Sequence, residues 1–308
     1  MGSFSCANIG SSAAAIFERS LIARRRMRAR NSFHKHGFLF RWSKAQIADR
    51  LLDINRRFET VLQLGSRCSF VAGEHERLGS AVFTADLCTL PVSDYVARDC
   101  YIQASEEFLP VADGSLDAVL SNLNLHSVND LPGSLVQIRS ALKNDGLFMA
   151  TMLGGETLHG LRKIMSEVEI KLFGGVSPHI SPFADKRQMG DLLARAGFAL
   201  PVVDSDVITV TYDSVFPLFA DIRGMGESNA ILARNKKPLT KEYFLHVAQA
   251  YKDQYAQSDG RIVAHFEVIH LLGWAPDASQ QKPLKPGSAQ YRLADFLGSS
   301  STGDEETS

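Results

Sequence analysis

The sequence predicts a doubly wound α/β fold, with helices covering both faces of a largely parallel sheet. Three observations carry that expectation. Short segments that are apolar on both faces recur over residues 56–155, and strands buried on both sides belong to parallel sheets. Segments with apolar residues at helical spacing recur among them, as crossover connections require. The first strand ends on Gly65 and the second on Asp86, and a glycine turn with an acid about 20 residues later is a nucleotide-binding spacing.

The first 55 residues read as helical. "AAIFERSLIARRRMRA" sets Ile16, Leu21 and Ile22 among charged residues, and "SKAQIADRLLDI" places Ile47, Leu51, Leu52 and Ile54 near one face. The basic run "RRRMRARNSFHKHG" between them reads as a solvated face; its alternative use is docking an acidic partner or a lipid surface. An Arg- and Ser-rich start resembles an organelle transit peptide, but a basic helix of the mature domain is the favoured expectation.

Strand and helix segments follow. "TVLQLG" is the first strand and "FVAGEHERL" a possible short helix. "SAVFTADL", "DCYIQAS" and "LDAVLSNLNL" are strands two to four. "DLPGSLVQIRSALK" is a helix, "NDG" a turn with Gly146 suited to positive φ, and "LFMATML" the fifth strand. Beyond residue 155 come a helix in "ETLHGLRKIMSEVEIKLF", a loop in "GGVSPHISPF" and a helix in "ADKRQMGDLLARAGF". The strand "DSDVITVTY", helices in "SVFPLFADIRGMGESN" and "TKEYFLHVAQAYKDQY", and the long strand "RIVAHFEVIHLLGW" complete the set. The expected layout is an N-terminal helical extension (1–55), a Rossmann-like cofactor-binding core (56–155), the remaining strands with helical insertions (156–296) and a disordered polar tail (297–308).

Composition narrows the function classes. A net charge of −1 offers no global basic field for nucleic acid. Cys6, Cys68, Cys88 and Cys100 form no CxxC pair, so neither a zinc site nor a disulfide framework is suggested. No apolar run reaches the roughly 18 residues of a membrane helix.

Ligands of a doubly wound sheet bind at the C-terminal ends of its strands. Asp86 there can accept two hydrogen bonds from a ribose diol; the plainer reading is a helix cap. Ser105 and Glu106, after the third strand, could reach an adenine amino group. Asn122, Asn124 and His126 alternate after the fourth, so they should share one face, with His126 the candidate catalytic residue. His265 and Glu267 form an HxE pair without a third ligand, so no metal site is expected.

The segments "IADRLLDINRRFETVLQLG", "EEFLPVADGSLDAVLSNLNLHSVNDLPGSLVQIRSALKNDGLF", "GGETLHGLR", "SPHISPFAD", "LLARAGF", "GMGESN" and "LLGW" resemble the assembly factor 5 family of respiratory complex I (NADH:ubiquinone oxidoreductase). That family lies within the class I S-adenosylmethionine-dependent methyltransferase superfamily. The resemblance implies a seven-stranded sheet ordered 3-2-1-4-5-7-6 with the last strand antiparallel. It implies S-adenosyl-L-methionine as cofactor, held by Gly65, Ser66, Asp86, Leu87, Ser105, Glu106 and Asn122. Gln63 stands where an Asp or Glu usually precedes the first glycine, and Ser66, Cys68 or Ser69 replace later glycines. The expected function is methyl transfer from this degenerate loop. The alternatives are assembly of complex I, by hydroxylating an arginine of a client subunit or docking it, and a carrier-protein methyltransferase of the biotin pathway. The resemblance implies a protein client, at most peripheral membrane contact through the basic N-terminal helix, and a bacterial cytoplasmic location, or the matrix side of the inner membrane in a eukaryote.

Overall fold

The computed structural model describes residues 15–68, 70, 73–89 and 101–281. The described residues up to Pro276 form one compact unit. In the second, from Asp277 onward, Asp277 closes a turn by accepting from the Ser279 amide and hydroxyl. The expected tail at 297–308 lies outside the described residues.

Seven strands form one sheet in the order β3-β2-β1-β4-β5-β7-β6. They are β1 (Phe58–Leu64), β2 (Leu78–Asp86), β3 (Tyr101–Gln103), β4 (Leu116–Asn122), β5 (Leu142–Leu153), β6 (Ala199–Tyr212) and β7 (Ile262–Trp274). The first five pair in parallel, while β7 runs antiparallel to both β5 and β6. The expected order and direction are therefore observed. β6 is an outer edge; it enters through Leu200 at φ 49° and a register shift between Ala199 and Val202.

The alternation of β1 divides the core. Leu62 and Leu64 pack with α4 (Leu131–Ala141) and α6 (Lys186–Arg195), through Leu135, Ile138, Met189 and Leu193. Val61 faces the other way, onto Ile47 and Leu51 of α3 (Phe38–Leu52). That second face continues through α5 (His159–Phe173), α7 (Val215–Gly224) and α8 (Lys241–Tyr255), where Phe40, Ile164, Leu218, Tyr243 and Phe266 are buried. Burying each such side chain contributes about 1.5–3 kcal/mol. Helix α3 and Phe33 of α2 (Phe33–His36) thus contribute to that core, while Ile22 of α1 (Arg19–Ala29) packs with Phe17, Ala230 and Ile231 in a separate cluster.

Helix ends follow local chemistry. Asp130 accepts from the Gly133 amide at 2.9 Å, with Pro132 in the first turn of α4. Asp185 and Gln188 form a capping box at α6.

Four local expectations change. The segment after Phe70 has no helix among its described residues; 73–77 are turns, and Gly73 has φ +76°. The "NDG" segment lies within β5 and not in a turn, and its left-handed residue is Asp145, at φ 58°. Gly146 instead supplies room, since a Cβ there would lie 2.8 Å from the Lys143 carbonyl. Strand β4 stops at Asn122 because Leu123 turns left-handed, at φ 46°. Asn124 and His126 therefore lie in the following turn and 3-10 helix, not on the strand face. Finally, the basic run is not wholly solvated: Arg24 and Arg28 are exposed, but Arg26 is buried.

Candidate active site

The parallel strands place their C-terminal ends beside α1. Gly65 leaves β1 at φ +93°, and a Cβ on it would lie 2.8 Å from Asn124 Cγ. Glycine thus allows both the turn and the close approach of β4's terminal loop. Ser66 follows, its amide donating to Asp86 Oδ2 at 2.6 Å and its hydroxyl at 2.8 Å. Cys68 is left-handed at φ 58°, a conformation costing about 1–2 kcal/mol for a side chain with Cβ. Buried Gln63 fixes what comes next: its amide oxygen accepts from the Phe70 N–H and its amide nitrogen donates to the Phe70 carbonyl.

Asp86 ends β2 and is 1% exposed. It also accepts from the Cys88 amide at 2.8 Å. Burial alone would raise its pKa, but the Arg26 charge and these hydrogen bonds outweigh that and hold it below its usual range. The same burial and the Asp86 charge push the Cys88 thiol up to about 12.

Glu106 follows β3 and is equally buried. It accepts from Asn124 Nδ2 and from Arg19, and Arg26 Nη1 lies 3.7 Å away. Ser105 shapes this turn, its hydroxyl accepting from the Glu107 amide. Asn122 is drawn elsewhere: its amide donates to the carbonyls of Phe40 and Cys68. Leu87 packs beside Phe17 and Ile22 at the base of α1.

His126 has partners at both ring nitrogens. Nε2 faces Glu227 Oε2 at 3.0 Å, and Nδ1 lies 3.5 Å from the Leu153 amide nitrogen. Glu227 also accepts from Arg67, which donates to the Met225 carbonyl and stacks 4.4 Å from the Phe40 ring centroid. Burial pushes Glu227 up, but Arg67, His126 and Arg26 hold it well below the carboxylate range, so it is an anion. Sequence reasoning singled out Gly65, Ser66, Asp86 and Glu106, which converge here. It missed Arg19, Arg26 and Glu227. Glu227 stood in plain view in "GMGESN", while Arg26 was hidden within a run that reads as surface.

These residues suit an adenosylmethionine in type. A carboxylate offers about four acceptor positions, and Asp86 uses three with protein. Buried Asn124 Oδ1 and Arg26 Nη1 have no hydrogen-bond partner among the described residues, a deficit that a polar ligand relieves. The space bounded by Arg26, Ser66, Arg67, Asp86 and Cys88 is about 140 Å³. Ligand pockets start near about 300 Å³, and Arg26 of α1 borders this smaller space. Elsewhere, His265 contacts Thr209 and Glu267 accepts from the Glu156 amide; no metal-ligating group of three or more occurs among the described residues.

The sheet order, with a glycine turn after β1 and acids beyond β2 and β3, defines the class: an enzyme of the class I S-adenosylmethionine-dependent methyltransferase superfamily. Residues 62–150 match the family described as Methyltransferase domain. Over 91% of its length the chain is 37% identical to the mitochondrial arginine-hydroxylase NDUFAF5 of Danio rerio, covering 89% of that protein. The Rattus norvegicus counterpart is 40% identical over 82% of the chain and 74% of its own length. A malonyl-[acyl-carrier protein] O-methyltransferase of Gallionella capsiferriformans is 34% identical over 58% of the chain and 59% of its own. The chain belongs to the NDUFAF5 family.

Proposed function

We propose that the protein binds S-adenosylmethionine between β1, β2 and β3 and modifies a protein client of respiratory complex I, with methyl transfer as the reaction. The observation that carries this reading is the convergence of Asp86, Glu106 and the Gly65 turn at one end of the sheet. Asp86 takes a ribose hydroxyl at the acceptor position that protein leaves open; Glu106 with Ser105 takes the adenine edge; Ser66 and Leu87 border the nucleoside; Asn122 supports the methionine side through Cys68. Bound S-adenosylmethionine supplies an electrophilic methyl group on a sulfonium. Positioning of a nucleophile against such a centre is worth about 7–11 kcal/mol, so the chain's task is mainly geometric. His126 acts through Glu227, and the pair holds a proton given up by the acceptor. Replacing the usual acid and glycines at Gln63, Ser66 and Cys68 weakens cofactor affinity.

Calorimetric titration tests this. S-adenosylmethionine binds weakly but measurably, and Asp86→Ala weakens it about tenfold or more, as expected for hydrogen bonds to a charged group worth about 1.5–3 kcal/mol. No heat at millimolar ligand, with an active methyltransferase responding in parallel, overturns the reading. Unchanged affinity in the variant makes Asp86 a structural cap.

A second reading is favoured by the relatives' name: modification of a client arginine by hydroxylation. Glu227, an anion beside the inner cavity of Leu123, Leu153 and Phe183, suits a guanidinium acceptor. The biotin-pathway reading is weaker, since its match ends with a little over half of the chain.

A further inference from the structure

An open cleft of about 1030 Å³ lies between α1, α5, α7, α8 and the segment 228–241. Its floor is apolar, formed by Leu161, Met165, Phe219, Ile222 and Phe244. Its rim is of one sign: Arg25, Arg223, Arg234, Lys236, Lys237 and Lys241 line it, and no carboxylate does among the described residues. Arg234 pairs with Glu18 at 2.8 Å, and Arg25 donates to the Asn229 carbonyl. Arg223, Lys236, Lys237 and Lys241 are exposed and pair with no carboxylate among the described residues. Burial and the neighbouring Arg234 charge both press the Arg25 guanidinium towards a lower pKa. Two large apolar side chains on the cleft, Phe216 and Leu245, are 46% and 51% exposed.

An apolar trough with cations at its edge has two requirements at once. Water is poorly placed on the floor, and the ammonium and guanidinium groups favour an anion able to accept charge-assisted hydrogen bonds. A cationic client segment, such as an arginine, is repelled here. An uncharged solute satisfies only the floor, and a free phosphate only the rim.

We propose that this cleft binds a single-chain anionic amphiphile, an aliphatic chain ending in a carboxylate or phosphate. The chain lies along Leu161, Met165 and Phe244, and the head sits among Arg223, Lys236, Lys237 and Lys241. The inner wall, His179, Ile180, Ile222 and Asn229, is shared with the small cavity beside Glu227. The amphiphile therefore borders the candidate active site without occupying the cofactor position. This assignment stands on the cleft alone and holds whether or not the cofactor reading does.

The test is calorimetry on the full chain with dodecyl phosphate below its micelle concentration, beside dodecyltrimethylammonium, inorganic phosphate and phosphatidylglycerol vesicles. The expected result is one dodecyl phosphate per chain, bound about tenfold or more tighter than the cationic amphiphile, with inorganic phosphate silent. The triple variant Lys236→Glu, Lys237→Glu, Lys241→Glu, at exposed positions, keeps its melting temperature and loses about tenfold or more in affinity. The single variant Phe216→Ala weakens the chain's contribution separately. Equal affinity for both amphiphiles, affinity untouched by the triple variant, or binding to vesicles without binding to the monomer each overturns the proposal; the last assigns the cations to a membrane surface instead.

Discussion

Gln63 does with one side chain what a carboxylate at that position could not. An amide both donates and accepts, so it satisfies the N–H and the carbonyl of Phe70 together. An acid there would leave a buried carbonyl facing a negative charge, so the departure from the usual acid has a structural use. Glu227 is the other residue with a measurable consequence. Its folded pKa is depressed, so its stabilising contribution is fully present above the unfolded value of about 4.3 and shrinks as pH falls from there towards the folded value. Glu227→Gln is expected to cost about 1.5–3 kcal/mol at neutral pH. Denaturant melts of the two proteins should draw together only below about pH 4. A gap that is constant with pH would show that the charge is not what stabilises the fold. Gly65 and Asp86 were legible because their chemistry is local: a turn that needs glycine and an acid closing a strand. Arg26 was not, because a buried arginine and an exposed one look alike until Glu106 and Asp86 are known to face it.

At the scale of elements, α1 has a position no periodicity discloses. Arg19 and Arg26 project from it onto Glu106, and Arg26 also donates to the Ser127 hydroxyl at 3.0 Å. The helix therefore borders the space where the cofactor is expected. Saturating S-adenosylhomocysteine should raise amide exchange across residues 19–29 while protection of β1 and β4 holds or increases. Unchanged exchange in that helix would mean that the ligand enters by another route. Most strands and helices were readable from apolar runs and helical spacing. The connection from β1 to β2 was not, since residues 70–77 carry apolar and charged residues that could suit a helix, and only Gly73 argued against it. The end of β4 was missed for a related reason. Alternation in "SNLNLH" continues past the point where Leu123 turns the backbone, so sequence alone extends the strand too far.

For the whole molecule, alternating apolar strands and helices made the doubly wound class legible and the strand order followed from the family resemblance, whereas the packing of α3 and Phe33 into the common core was not legible. The family membership gives the experiment at this scale. Deleting the gene should lower NADH:quinone activity in the host, and complementation with Asp86→Ala should fail to restore it. Mass spectrometry of the complex I subunits then separates the two chemistries: a methyl increment lost on deletion supports methyl transfer, an oxygen increment supports hydroxylation. Normal activity with unaltered subunits would reject the assembly role. The sheet's far side carries a different lesson. A strand with open backbone groups invites a second chain to continue the ladder. β6 discourages this in three ways. Pro201 has no N–H to offer, the register shift beside it breaks the repeat, and Asp204 and Asp206, which pair with Arg50, put charged side chains on the strand. The same strand that completes the sheet thereby limits its growth, which favours keeping copies of this chain apart at the concentrations at which newly made protein is most prone to associate.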